Sequence, residues 1–172
     1  MGRCWPSRPA ATAWTAPSAS WPRPALGAAG GPAGLPAWVG VLTSFGLAVE
    51  IGDWHRFTGA TLGAWLGLVP SEQSSGGRRA QGSITKTGNS HARRLLVERG
   101  LASPQTYRPS RELRARHAGQ PAAGRARADA GNRRLQQRWC RLDARAKRST
   151  ISVVAVAGEL AGWCWSLAVL EA

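Results

Sequence analysis

Acidic residues are scarce in this chain: 9 Asp and Glu stand against 23 Lys and Arg, giving a formal net charge of +14 over 172 residues. That imbalance excludes an ordinary metabolite enzyme as the first expectation and points to a polyanionic partner, nucleic acid before anionic membrane. Cysteine is sparse as well. Cys4, Cys140 and Cys164 are odd in number, lie far apart and include no CxxC pair, which argues against a disulfide framework or a zinc site and makes a reducing cytoplasm the expected setting. His55, His91 and His117 stand alone, so each reads as a surface or capping residue rather than a metal ligand. Lysine is nearly missing, with Lys86 and Lys147 the only two; the rest of the positive charge is arginine, whose planar fork matches phosphate and base edges. No apolar run opens the chain, because Pro6 and Pro9 follow Arg3, and a signal-peptide core is therefore excluded.

What is present divides unevenly. Residues 78–148 hold 19 of the 23 basic residues and only 4 acidic ones, a net of +15, while the other 101 residues sum to −1. An almost neutral body thus carries one basic segment. With 43% hydrophobic residues, the chain as a whole is not a disordered tail. Residues 1–36 are the exception: they hold 7 of the 11 prolines together with Trp5, Trp14 and Trp21, and no Asp, Glu or Lys. Lacking any helical or strand period, they read as a disordered, non-native leader.

From about Ala37 capped apolar segments begin, and a mainly α-helical fold is expected. VGVLTSFGLAVEIGDW carries a turn at Gly40, a cap at Thr43 and a mostly buried helix ending at Gly52. Two apolar helices around such a turn would make a helix-hairpin-helix-like start, with a plain helix start as the alternative. Thr58 or Thr61 caps TLGAWLGL, which stops at Gly67 and Pro70. The Ser/Gly-rich stretch SEQSSGGRRAQGSITKTGNS predicts a loop or a short hairpin and is not a Walker motif. Asn89 or Ser90 caps HARRLLVER, closed by Gly100, with Leu95 and Leu96 inward and Arg94 paired to Glu98. A capped helix start beside Lys86 and Arg93 suggests a phosphate cradle. Ser110 opens SRELRARHA, and QPAAG interrupts it. Asn132 then caps NRRLQQRWCRLDARAKRS, whose Leu135, Trp139 and Leu142 form one docking stripe while Arg133, Arg134, Arg138, Arg141 and Arg145 stay available. The organisation expected is a leader (1–36), a helical domain with the serine loop (37–102), a basic helical segment (103–148) and an apolar terminal helix (149–172).

The terminal run ISVVAVAGELAGWCWSLAVL is about long enough to span a bilayer. Glu159 near its middle would cost ~2.5–3.5 kcal/mol in lipid, so a buried terminal helix and no membrane partner are expected.

Two sets of residues suggest chemistry. Ser74 and Ser75 lie on a flexible turn followed by Arg78 and Arg79, a hydroxyl nucleophile beside guanidinium groups that hold a phosphodiester; a solvated loop is the plain reading of the same composition. Glu50, Asp53 and Glu72 do not match the pattern of a two-metal site and read as surface groups.

The blocks GLVPSE, SSGG and ITKTGN, within AVEIGDWHRFTGATLGAWLGLVPSEQSSGGRRAQGSITKTGNSHARRLL and followed by VAVAGELAGWCWSLA, resemble the C-terminal part of insertion-sequence transposases of the IS-one-ten type (IS116, IS110 and IS902 relatives). The resemblance covers about 133 of 172 residues. It implies a DNA recombinase in which a mainly helical C-terminal domain carries a serine that forms a phosphoserine link with DNA. It also implies an N-terminal domain with an Asp/Glu/Asp/Asp cluster for a divalent metal such as Mg, a structured guide RNA as a partner, and a homo-oligomer at full length. The family's serine falls on the SG step, which makes Ser75 the first choice and Ser74 the second. Arg78, Arg79, Lys86, Arg93, Arg133, Arg134, Arg138 and Arg141 are the expected nucleic-acid contacts; no metal or cofactor is expected in this chain.

No acidic-cluster domain precedes Gly40 here, so the chain reads as a truncated or frameshifted transposase fragment that binds DNA without independent activity. The alternatives are a small basic DNA- or RNA-binding protein without catalysis and a membrane-associated protein held by residues 151–170.

Overall fold

The computed structural model describes residues 39–75, 77–78, 80–101, 107–118 and 120–170. The expected leader, any helix ahead of Gly40 and Arg79 lie outside the described residues. Six helices and one small hairpin make up the rest, as expected of a mainly α chain.

Helix α1 (Val41–Ile51) starts behind Gly40, whose extended backbone has no side chain to cap with. Thr43 is therefore not the cap: it sits buried inside the first turn, where its Oγ1 accepts from Arg99 Nε at 3.0 Å. Ser44 returns its hydroxyl to Gly40 O at 3.0 Å. The helix stops at Gly52, whose φ of 67° a side chain would resist. Nor is α1 mostly buried. Leu47, Ala48 and Ile51 enter the core, but Leu42, Phe45 and Val49 are 85%, 63% and 61% exposed along the opposite stripe. An apolar composition all round gave no period from which to pick the buried face.

Helix α2 (Gly59–Trp65) begins at a reciprocal box in which Thr58 Oγ1 accepts from Thr61 N and Thr61 Oγ1 accepts from Thr58 N, so both threonines contribute. Strands β1 (Pro70–Glu72) and β2 (Gln81–Ile84) pair antiparallel. Helix α3 (Ser90–Gly100) is capped by Asn89, which accepts from Ala92 N at 2.9 Å, and Arg94 Nε meets Glu98 Oε1 at 2.8 Å on its outer face. Ser110 caps α4 (Arg111–His117) through Leu113 N at 3.1 Å.

Helix α5 (Ala122–Asp143) departs from expectation. It starts directly behind Pro121, inside the QPAAG stretch, and runs 22 residues. Asn132 is no cap; it is fully buried in the middle of the helix. Gly124, Ala128, Gly131 and Leu135 recur at three- and four-residue spacing along the buried face, and a Cβ on Gly131 would stand 3.1 Å from the Trp163 ring. The glycines that read as breakers are the places where a partner helix comes close.

That partner is α6 (Ser149–Leu170), the central element, packed against α2, α3 and α5. Val153, Val156, Ala157, Leu160, Ala161, Cys164, Leu167 and Ala168 are buried along it. All but Val153 join Val39, Leu47, Ile51, Trp54, Leu62, Leu66, Leu68, Leu96 and Leu135 in one cluster. Each fully buried aliphatic side chain of this kind contributes about 1.5–3 kcal/mol. By length and composition alone α6 could cross a membrane; here it forms the centre of the core.

Candidate nucleic-acid interface

Two structures carry the candidate site residues: the hairpin and the arginine edge of α5. The hairpin pairs Pro70 with Ile84 and Glu72 with Gln81, with an irregularity between, and Ser75 faces Arg78 across an isolated bridge at the tip. Arg78 N donates to Ser75 O at 3.3 Å, and Gln73 N to Ala80 O at 2.9 Å. Ser74, Ser75 and Arg78 are all exposed. The two serines differ in their surroundings. Ser74 Oγ donates to Glu72 Oε1 at 2.8 Å, whereas Ser75 lies opposite Arg78 across the backbone bridge.

The root of the hairpin explains the linked blocks GLVPSE and ITKTGN. Gly67, Lys86 and Gly88 all take positive φ (66°, 56° and 72°). A Cβ on Gly88 would overlap the Trp65 carbonyl oxygen, and one on Gly67 would overlap the backbone of Thr87. Two backbone segments thus cross at a separation that only glycine permits. Arg93 fastens the crossing, with Nη1 donating to Leu66 O and Thr87 O, each at 2.9 Å. Arg93 thus spends part of its fork on backbone carbonyls. Lys86 beside it is exposed.

The start of α3 holds a contact that the sequence did not disclose. Glu50, on α1, accepts from Asn89 Nδ2 and meets His91 Nδ1 at 2.7 Å. Glu50 is therefore not a bare helix-end group, and His91 is not isolated. The Asn89 hydrogen bond, and then that of His91, hold the Glu50 carboxyl below the usual range. A separation of 41 residues left no local signal of this pairing.

On α5, Arg133, Arg134, Arg138 and Arg141 are exposed, but they do not form one uniform surface. Arg134 Nε meets Glu159 Oε1 at 2.7 Å and Arg138 Nε lies 3.8 Å from Glu159 Oε2. Arg127, not among the expected contacts, donates to Ser166 Oγ at 2.7 Å and stands 4.6 Å over the Trp163 ring. At 3.6 residues per turn, Arg127, Arg134, Arg138 and Arg141 share one edge of the helix, on the order of 21 Å long. That spacing was the available signal, hidden by reading the helix as starting at residue 132. Arg133 projects from a different side.

Among the described residues no group of three or more His, Cys, Asp or Glu side chains is placed to hold a metal ion. The residues described here therefore do not fit the divalent metal that the resemblance implies for an acidic domain.

Residues 38–118 match the model of the transposase IS116/IS110/IS902 family. A Sinorhizobium fredii protein named as transposase y4qE is 38% identical over 133 residues, 76% of this chain and 34% of the relative. A family 20 transposase of Pseudomonas aeruginosa is 40% identical over 60 residues, 34% of this chain and 18% of the relative. The transposase for insertion sequence element IS1111A of Coxiella burnetii is 40% identical over 60 residues, 34% of this chain and 16% of the relative. The match thus spans about a third of the first relative and less than a fifth of the others. No solved structure matches the chain. These matches place residues 38–118 in the transposase IS116/IS110/IS902 family.

Proposed function

We propose that this chain is a DNA-contacting part of a transposase that exchanges strands through a serine nucleophile, Ser75, with Ser74 as the alternative. The observation that carries the reading is the hairpin tip, where two exposed serines stand on a tight turn and Ser75 faces Arg78. In the proposed step the Ser75 hydroxyl loses its proton to a base, and its Oγ forms a bond to phosphorus. The bond from phosphorus to one sugar oxygen breaks, and that oxygen leaves as a hydroxyl after taking up a proton. The phosphoserine link keeps the phosphodiester available for rejoining to another strand. Arg78 neutralises charge on the attacked phosphate. Arg79, Lys86, Arg93, Arg133, Arg134, Arg138 and Arg141 are read as contacts along the flanking backbone.

In this reading the divalent metal, the structured guide RNA and the homo-oligomer belong to the full-length protein, and the setting is the cytoplasm. No step above passes through the metal. A second reading, a basic DNA- or RNA-binding protein without chemistry, draws on the net +15 of residues 78–148.

Fluorescence anisotropy with a labelled duplex tests what both readings share. Affinity should fall with salt at a log-log slope of roughly 0.9 per phosphate contacted. Replacing Arg133 and Arg141 by Gln should flatten the slope more than replacing Arg134 and Arg138, whose charges face Glu159. A slope near zero, or one unmoved by all four replacements, would remove α5 from the interface.

A further inference from the structure

The near-neutral part of the chain holds one basic side chain between residues 39 and 77, Arg56, and its position is unusual. Its guanidinium carbon stands 4.6 Å over the Phe57 ring and 5.6 Å over the Trp65 ring. The two rings lie 5.2 Å apart, tilted by 47°. Phe57 and Trp65 are partly buried against the core, while Arg56 is exposed above them. A cation over two ring faces is held by their quadrupoles, and the side of the guanidinium turned away from the rings faces solvent.

The support beneath this stack is rigid. Trp165 Nε1 donates to Phe57 O at 2.8 Å and to Trp54 O at 3.2 Å, and Phe57 N donates to Trp54 O at 3.2 Å. The Thr58–Thr61 box starts α2 at the next residue, and Trp65 ends that helix. The Trp65 carbonyl lies against Gly88 at the crossing from which the serine hairpin extends. The stack therefore adjoins the root of the hairpin and is fixed by contacts from α6 and α2. An ordered, half-exposed guanidinium–aromatic stack suits one ligand chemistry above others: a planar ring that adds to the pile without needing a particular hydrogen-bond pattern.

We infer that Arg56, Phe57 and Trp65 form a stacking platform for an unpaired nucleobase, taken from the nucleic acid whose phosphates the arginines hold. The inference rests on the nucleic-acid reading above and adds to it a site for a base outside a duplex. Duplex DNA keeps its bases stacked within the helix, so only a gapped, bulged or single-stranded segment can use the platform.

The test compares two labelled DNAs of equal length and charge pattern, one fully paired and one carrying a single extrahelical 2-aminopurine. The whole chain should bind the second more tightly and quench its fluorescence. Arg56→Ala should weaken binding to the extrahelical DNA roughly 5- to 100-fold, the range for losing one base stack, and restore the fluorescence. Binding to the paired duplex should change less than about 2-fold, the scale of one rim charge at moderate salt. Arg56→Lys separates plane from charge, because lysine keeps the charge without the plane, and should remain defective for the extrahelical base. Trp65→Leu, checked by its thermal melt, should show the same preference loss. Equal weakening on both DNAs with rescue by lysine would make Arg56 a phosphate contact and overturn the platform. Tight duplex binding with no preference and no quenching would overturn it as well, leaving the nucleic-acid reading intact. Failure to bind either DNA at low salt would overturn both.

Discussion

Arg134 Nε donates to Glu159 Oε1 at 2.7 Å, and Arg138 approaches the other carboxylate oxygen at 3.8 Å. This is how an apolar 22-residue helix carries a carboxylate near its middle while remaining part of the core. The pair is half-buried, with side chains 43% and 23% exposed, so its weight lies between a surface ion pair and a buried one. Glu159→Gln should lower stability by about 1 kcal/mol, a fall in Tm of about 2–4 °C. The same substitution should steepen the salt dependence of duplex binding, because two arginines lose their internal partner. Thermal melts and anisotropy titrations on one variant check both signs.

Gly88 fixes the hairpin root. Its φ of 72° and the nearby Trp65 carbonyl leave no room for a side chain. Gly88→Ala should cost at least ~3 kcal/mol, more than the ordinary penalty for alanine at positive φ, because backbone would have to move on both sides of the crossing. Gly77, at the hairpin tip, has nothing within 4 Å of an added Cβ. Gly77→Ala should change stability by no more than about 0.5 kcal/mol, and denaturant midpoints of the two variants make the comparison.

Glu50 predicts an acid limb. Hydrogen bonds from Asn89 and His91 hold its folded pKa below the unfolded carboxylate value, so its contribution is present above about 4.3 and is lost as pH falls through the folded pKa. Glu98, lowered in the same way by Arg94, adds to that limb. In Glu50→Gln the drop in Tm between pH 6 and pH 3 should be smaller than in the parent protein, with the Glu98 part remaining. An unchanged drop would show that the Glu50 contacts make no difference to folding.

The sequence showed these elements to different degrees, for physical reasons. Helix starts were readable where a short polar side chain caps its own neighbours: Thr58 with Thr61, Asn89 with Ala92, Ser110 with Leu113. The Ser/Gly block was readable as a loop or a short hairpin because glycine and hydroxyl residues mark turns, and only the fold chose the hairpin. The N-terminal half of α5 was not, since Gly124 and Gly131 look alike whether they end a helix or admit a partner such as Trp163. Thr43 passed for a cap because its hydroxyl partner, Arg99, is 56 residues away. The exposed stripe of Leu42, Phe45 and Val49 was hidden for the opposite reason, as an apolar residue carries no mark of which side it faces. Among the candidate site residues, Ser74, Ser75 and Arg78 stood out by type and by the family resemblance, and the fold puts all three on the exposed hairpin tip. The Glu159 partnership of Arg134 and Arg138, and the two carbonyls held by Arg93, required the fold.

The last prediction separates the two serines. Ser74 Oγ donates a hydrogen bond to Glu72 Oε1 at 2.8 Å, a contact that would favour deprotonation, yet the same carboxylate places negative charge where an incoming phosphate must sit. Ser75 stands opposite Arg78 across the bridge at the hairpin tip. Electrostatics at the attacked phosphorus should outweigh a carboxylate base on an exposed turn, because a carboxylate is a weak base for a serine hydroxyl. The 172-residue chain alone should form no covalent adduct with DNA, since the described residues bring no metal-holding cluster to the tip. Supplied with the acidic-cluster domain of a relative and the element's guide RNA, it should form one, detected as a protein–DNA species that survives denaturing electrophoresis. Ser75→Ala should abolish that species, Ser74→Ala should reduce it less than tenfold, and Glu72→Gln should leave it intact or raise it. An adduct that persists in Ser75→Ala and vanishes in both Ser74→Ala and Glu72→Gln would move the nucleophile one residue back and give Glu72 the role of base.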